Sequence, residues 1–69
     1  MAHYDTVTKP ALSAWSSAFF AKDTDLATKK SACDAAAKSG ASPKDIADAI
    51  GGSSAWNGFV RSLKASKLA

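Results

Sequence analysis

Alanine is the residue that most restricts what this chain can fold into. It accounts for 16 of the 69 residues, which is half of all the apolar ones. Alanine has the highest helix propensity but little surface to bury. A chain of this length forms one domain, near the lower size limit for a single hydrophobic core. The composition therefore predicts one small all-α domain, residues 1–69, in which short helices share a few large apolar side chains.

The first predicted helix covers residues 9–22. Thr8 is suited to the N-cap position and Pro10 to the first helical turn. Residues 1–8 precede this helix as an N-terminal arm. Large apolar residues recur at helical spacing and predict its buried stripe: Leu12, Trp15 and Phe19.

A second helix follows after a short polar break. It begins after an N-cap at Asp23 or Thr24, and Gly40 ends it. Lys30 and Asp34 are spaced to form an i, i+4 ion pair on its surface. Its buried stripe is thin, which suits close approach of a neighbouring helix. The residues of this stripe are Leu26, Cys33, Ala36 and Ala37.

The last third of the chain predicts two more helices, which completes a bundle of four short helices. Ser42 as N-cap, Pro43 in the first turn and Gly51 as the stop define a short third helix. The fourth begins at Ser53 or Ser54 under a serine cap and runs nearly to the C-terminus. Its apolar residues are spaced i, i+3, i+4, i+7: Trp56, Phe59, Val60 and Leu63.

The stretch PKDIADAIGGSSAWNGFVRSL, residues 43–63, resembles the helix-turn-helix DNA-binding family. The resemblance implies that residues 42–67 form a helix-turn-helix-like unit whose second helix enters the major groove of DNA. Since nothing in so small a chain remains for ligand sensing or catalysis, our hypothesis is a small DNA-binding regulator of transcription, of the phage or plasmid type. Four residues match the apolar, small and turn positions of the family: Ile46, Ala47, Ile50 and Gly51.

Two positions depart from the family pattern. Gly52 follows the turn glycine, where the family has an apolar residue that packs beneath the turn. Trp56 comes one position early, which puts Asn57 where the family buries an aliphatic residue. These departures leave the rotation of the fourth helix open.

The fourth helix has a polar side without acidic residues. Residues 1–56 hold six lysines and six aspartates, whereas residues 57–69 hold three cations and no acid. At about 100° per residue, the polar residues lie opposite the apolar stripe. Arginine can contact guanine and asparagine can contact adenine, while serine and lysine suit phosphates. The predicted DNA-contacting residues of the C-terminal helix and tail are Ser54, Asn57, Arg61, Lys64 and Lys67. Lys44 on the third helix is predicted to add a backbone contact.

Other interpretations of this helix stay open. Cations near a helix C-terminus also complement the helix dipole, and a plain solvated face has the same composition. Asp45 and Asp48 would repel phosphates if they faced DNA. The alternative function is a protein-interaction module, an inhibitor or adaptor that contacts a larger protein through the C-terminal helix, Phe20 and Gly58.

The sequence predicts neither an enzyme nor a cofactor or metal site. The chain has no glutamate, one histidine and one cysteine, and it contains no phosphate-binding glycine-rich loop. Its longest apolar run is too short to span a membrane. We therefore expect a soluble cytoplasmic protein whose partner is double-stranded DNA or a larger protein. Reading the two half-sites of a DNA site would require a homodimer.

Overall fold

The computed structural model describes residues 3–68 of the chain. Within that range the chain forms four α-helices and no strand, which confirms the predicted all-α bundle. None of these helices combines the length and apolar character that a membrane span requires. The helices are α1 (Lys9–Phe20), α2 (Leu26–Lys38), α3 (Pro43–Ala49) and α4 (Ser53–Ala65).

The segment before α1 is helical, unlike the predicted N-terminal arm. A π-helical turn, Tyr4–Thr8, leads directly into α1, and the Lys9 N–H donates to the Tyr4 carbonyl. Thr8 is buried and its hydroxyl donates to the Ser39 carbonyl at 2.6 Å. His3 Nε2 lies 2.8 Å from the same oxygen. Thr8 is at the predicted N-cap position of α1, but its side chain does not cap the helix, because its hydroxyl is used in a tertiary hydrogen bond to the end of α2. The first two residues of the predicted arm lie outside the described range.

The N-termini of α2 and α3 are capped by side chains. Asp25 caps α2, and its Oδ1 accepts from the Thr28 N–H at 2.8 Å. The predicted cap at Asp23 or Thr24 is therefore wrong. Hydrogen bonds from the Thr28 side chain and backbone lower the pKa of Asp25. Ser42 caps α3 as predicted, since its Oγ accepts from the Asp45 N–H at 3.1 Å.

Three helices end in the same hydrogen-bonded turn, in which the residue after the C-cap has a positive φ. That residue is Gly40 after α2 (φ 98°), Gly51 after α3 (φ 111°) and Lys67 after α4 (φ 60°). In each case the next N–H donates to the carbonyl five residues earlier, at 2.8–3.2 Å. The predictions that Gly40 ends α2 and that Gly51 ends α3 are therefore confirmed.

The core lies where α1 meets the other helices, and Trp15 is fully buried at its centre. Its ring packs edge-on against Phe19 and Phe59, with centroids 5.5 and 5.0 Å away. On α2 the stripe is narrower than predicted, because Ala37 is exposed. The ion pair of Lys30 with Asp34 forms at 2.9 Å. The buried core residues are Trp15, Cys33, Ala36, Ile46, Ile50, Phe59 and Leu63.

Candidate nucleic-acid interface

The turn between α3 and α4 depends on two consecutive glycines. Ile50 ends α3 and is 2% exposed, while Gly51 and Gly52 both have a positive φ. Gly52 has φ 107° and ψ −170°, a conformation that is essentially restricted to glycine. The departure from the helix-turn-helix pattern at this position thus has a backbone cause. Gly52 is also the N-cap of α4, without a side-chain hydrogen bond, so the predicted serine cap is wrong.

The apolar stripe of α4 sets how the helix is rotated. Phe59 and Leu63 are buried, and the Phe59 ring meets the rings of Trp15 and Phe19 on α1 at centroid distances of 5.0 and 5.8 Å. Trp56 is only half-buried, and its ring centroid lies 5.8 Å from that of Phe59. The predicted inward stripe is therefore present, with its centre on the Phe59 and Leu63 side.

The side of α4 opposite this stripe carries four exposed polar residues, Ser54, Asn57, Arg61 and Lys64, which we name the polar face of α4. Asn57 is exposed, in contrast to the buried aliphatic that the family pattern has there. The ion pairs within residues 3–68 involve α2 and α3 only, so neither cation of this face pairs with a carboxylate of the described chain. The structure thus brings four of the six predicted DNA-contacting residues onto one surface.

Lys44 and Lys67 lie apart from the polar face of α4. Lys44 is on α3, where its ammonium pairs with the Asp48 carboxylate at 2.9 Å. The hydrogen bond and charge of that carboxylate raise the pKa of Lys44. The negative charge of Asp48 is therefore balanced locally, which reduces its predicted repulsion of phosphates. Lys67 is exposed just beyond the last turn of α4.

The two residues predicted for a protein contact, Gly58 and Phe20, are both at the surface. Apart from its chain neighbours and the backbone of its own helix, no described atom would lie within 4 Å of a Cβ added to Gly58. The Gly58 carbonyl accepts from the Ser62 hydroxyl at 3.1 Å. Phe20 is 63% exposed, and its ring meets only one edge-on partner ring, Phe19, at 5.1 Å. Both positions are therefore accessible to a partner.

The described residues contain no pocket and no cluster of three metal-ligating side chains. Cys33 is 8% exposed on α2, and its burial raises the pKa of the thiol. A thiol with a raised pKa is a poor nucleophile at neutral pH.

No protein-family model, curated protein or solved structure matches this chain. The candidate interface consequently rests on the geometry and charge of its own residues. The helix-turn-helix resemblance stays a prediction from the sequence.

Proposed function

We propose that this chain is a small DNA-binding protein that contacts duplex DNA with the polar face of α4. One observation carries the proposal: α4 buries Phe59 and Leu63 while Arg61 and Lys64 stay exposed and unpaired with any carboxylate of the described residues. Unpaired cations on one face of a helix favour a polyanion, because binding releases the counterions of the phosphates. A role in regulating transcription would follow from such binding.

The residue types on this face fit both kinds of DNA contact. Arg61 can donate two hydrogen bonds to guanine, and Asn57 can exchange two with adenine. Ser54 and Lys64 suit phosphate oxygens. Gly58 lies beside them without a side chain, which lets the helix backbone come close to the duplex. We infer that Asn57 and Arg61 contribute sequence preference and that the lysine contributes affinity.

Fluorescence anisotropy with a labelled duplex, measured from 50 to 200 mM salt, tests the proposal. We expect the Kd to rise steeply with salt, and Arg61→Ala to bind more weakly with a shallower salt dependence. Lys22→Ala is the matched control, since it removes one exposed cation from the segment between α1 and α2. Absence of duplex binding at low salt would contradict the proposal, as would equal losses in the two variants.

A protein-interaction module is the second candidate, and the exposure of Phe20 favours it. Phe20 is 63% exposed, so its ring offers apolar surface whose burial by a partner would be favourable. A partner that covers this ring would bury apolar surface that is exposed in the single chain. A pull-down with and without nuclease separates the candidates: a stoichiometric protein that survives nuclease and is lost with Phe20→Ser supports the module, and loss with nuclease supports DNA.

A further inference from the structure

The side of α1 that faces away from the core is uncharged from Pro10 to Phe20, whereas the water-facing side of a surface helix usually carries charged residues. Trp15 is fully buried and marks the inner side of this helix. At about 100° per residue, four residues lie within an arc of about 80° opposite Trp15, and all four are exposed. We name them the outer row of α1: Pro10, Ser13, Ser17 and Phe20.

The outer row suits contact with another helix. Phe20 is 63% exposed, so its ring offers apolar surface at one end of the row. Ser13 and Ser17 lie one turn apart in the middle, and their small side chains let a second helix axis come within about 8–10 Å. Each hydroxyl can donate to the carbonyl four residues earlier, so burial of the row would leave no donor without an acceptor.

The spacing of the outer row is complementary to itself. Its steps of three, four and three residues are the same in both chain directions. In an antiparallel pair of α1 helices, Phe20 of each copy would lie over Pro10 of the other, and Ser13 would lie beside Ser17. The two halves of the contact would be identical, as the two-fold symmetry of a homodimer requires.

The charges at the two ends of α1 favour the same antiparallel arrangement. Asp5 and Lys9 lie at the start of the helix, Lys22 and Asp23 lie just after its end, and all four are exposed. None of them belongs to an ion pair within residues 3–68. An antiparallel pair brings the first two towards the last two of the other copy, so that each end of the interface holds two charges of each sign. A parallel pair would instead place Asp5 beside Asp5 and Lys22 beside Lys22.

We propose that the outer row of α1 is the interface of an antiparallel homodimer. Its occupant is a second copy of this chain, because both the row and the charges at its ends are complementary to their own reversed order. The inference goes beyond DNA binding and stands without it. It also assigns a surface to the homodimer that the reading of two half-sites would require.

Sedimentation equilibrium of the full chain without DNA tests the proposal. The range from about 10 μM to 1 mM is suitable, because an interface built on one helix row is small and therefore weak. We expect the apparent mass to rise from that of one chain towards that of two. Ser17→Lys should raise the Kd of the dimer by more than about tenfold, since two ammonium groups would enter the interface together. Ser31→Lys is the matched control, because Ser31 is an exposed serine on α2.

A charge-reversal pair makes the test specific for the outer row. A chain with Ser13→Glu and Ser17→Glu and a chain with Ser13→Lys and Ser17→Lys should each stay monomeric, and their mixture should form a heterodimer. A parent chain that stays monomeric at the highest concentration would overturn the proposal. Equal weakening by Ser17→Lys and Ser31→Lys, or a mixture without heterodimer, would also overturn it. Duplex binding by a chain that stays monomeric would overturn the dimer alone and leave the proposed function in place.

Discussion

The indole Nε1 of Trp15 donates a hydrogen bond to the carbonyl oxygen of Ile46 at 3.0 Å, and the bond is buried. It joins α1 to the last turn of α3, where carbonyls lack part of their intrahelical partners. The same indole packs against Phe59 of α4 with a centroid distance of 5.0 Å. One residue of α1 therefore fixes both helices of the C-terminal pair, and with them the direction of the polar face of α4.

Trp15→Phe should destabilise the fold by about 1–3 kcal/mol, because it leaves the Ile46 carbonyl without its buried donor and reduces core packing. Urea unfolding followed by circular dichroism measures the change. Trp56→Phe is the control, since Trp56 is only half-buried on α4. We expect a clearly smaller loss there, and equal losses would contradict the role assigned to the hydrogen bond.

Gly58→Ala should stabilise the chain by roughly 0.5–1 kcal/mol, since alanine is the better helix former and a Cβ has open space at this position. If the backbone at Gly58 approaches DNA closely, the same variant should bind duplex more weakly despite its higher stability. Gly52→Ala is the matched control and should destabilise, because Gly52 has φ 107°. A destabilised Gly58→Ala would show that the helix surface there is not open.

Because a carboxylate caps α2, we expect the stability of the fold to depend on pH in the acidic range. Hydrogen bonds from Thr28 hold the pKa of Asp25 below its ordinary value of 3.8. A lowered pKa in the folded state means that the stabilising effect is complete above that ordinary value and is lost as pH falls through the folded-state pKa. Asp25→Asn keeps a cap of similar strength but removes the titration. Thermal melts from pH 6 to about 2 should therefore show a shallower decline for Asp25→Asn, and parallel curves would contradict this account.

The two lysines Lys44 and Lys64 should differ in their effect on DNA binding. Lys44 is paired with Asp48 at 2.9 Å, so its removal frees a carboxylate but takes away little unpaired positive charge. Lys64 has no carboxylate partner among the described residues. We expect Lys64→Ala to reduce the salt slope by about 0.9 and Lys44→Ala to reduce it less. Anisotropy titrations measure both slopes, and the reverse order would place the interface on α3.

Local signals in the sequence predicted the helices well wherever a single turn decides the structure. Ser42 with Pro43 starts α3, and Gly40 and Gly51 end α2 and α3, because caps and positive φ depend on adjacent residues only. No local signal predicted that the Thr8 hydroxyl would bond to the Ser39 carbonyl instead of capping α1, because the two residues are 31 positions apart. A contact of that kind has no local signature.

The candidate site was predictable to the extent that it follows helical periodicity. Spacing alone placed Phe59 and Leu63 inward and Arg61 outward, and the structure agrees. The pairing of Lys44 with Asp48 could have been inferred from their i, i+4 spacing. The left-handed backbone of Lys67 could not, since lysine gives no signal for a positive φ.

Mapping of duplex binding by NMR tests the central claim most directly. Backbone amide shifts of the full chain, followed during titration with a short duplex at low salt, report which surface is contacted. We predict the largest changes at Ser54, Asn57, Arg61 and Lys64, with little change around Phe20 and on the exposed side of α2. Changes concentrated at Phe20, or none at all, would contradict the assignment of the polar face of α4 as a DNA-binding surface.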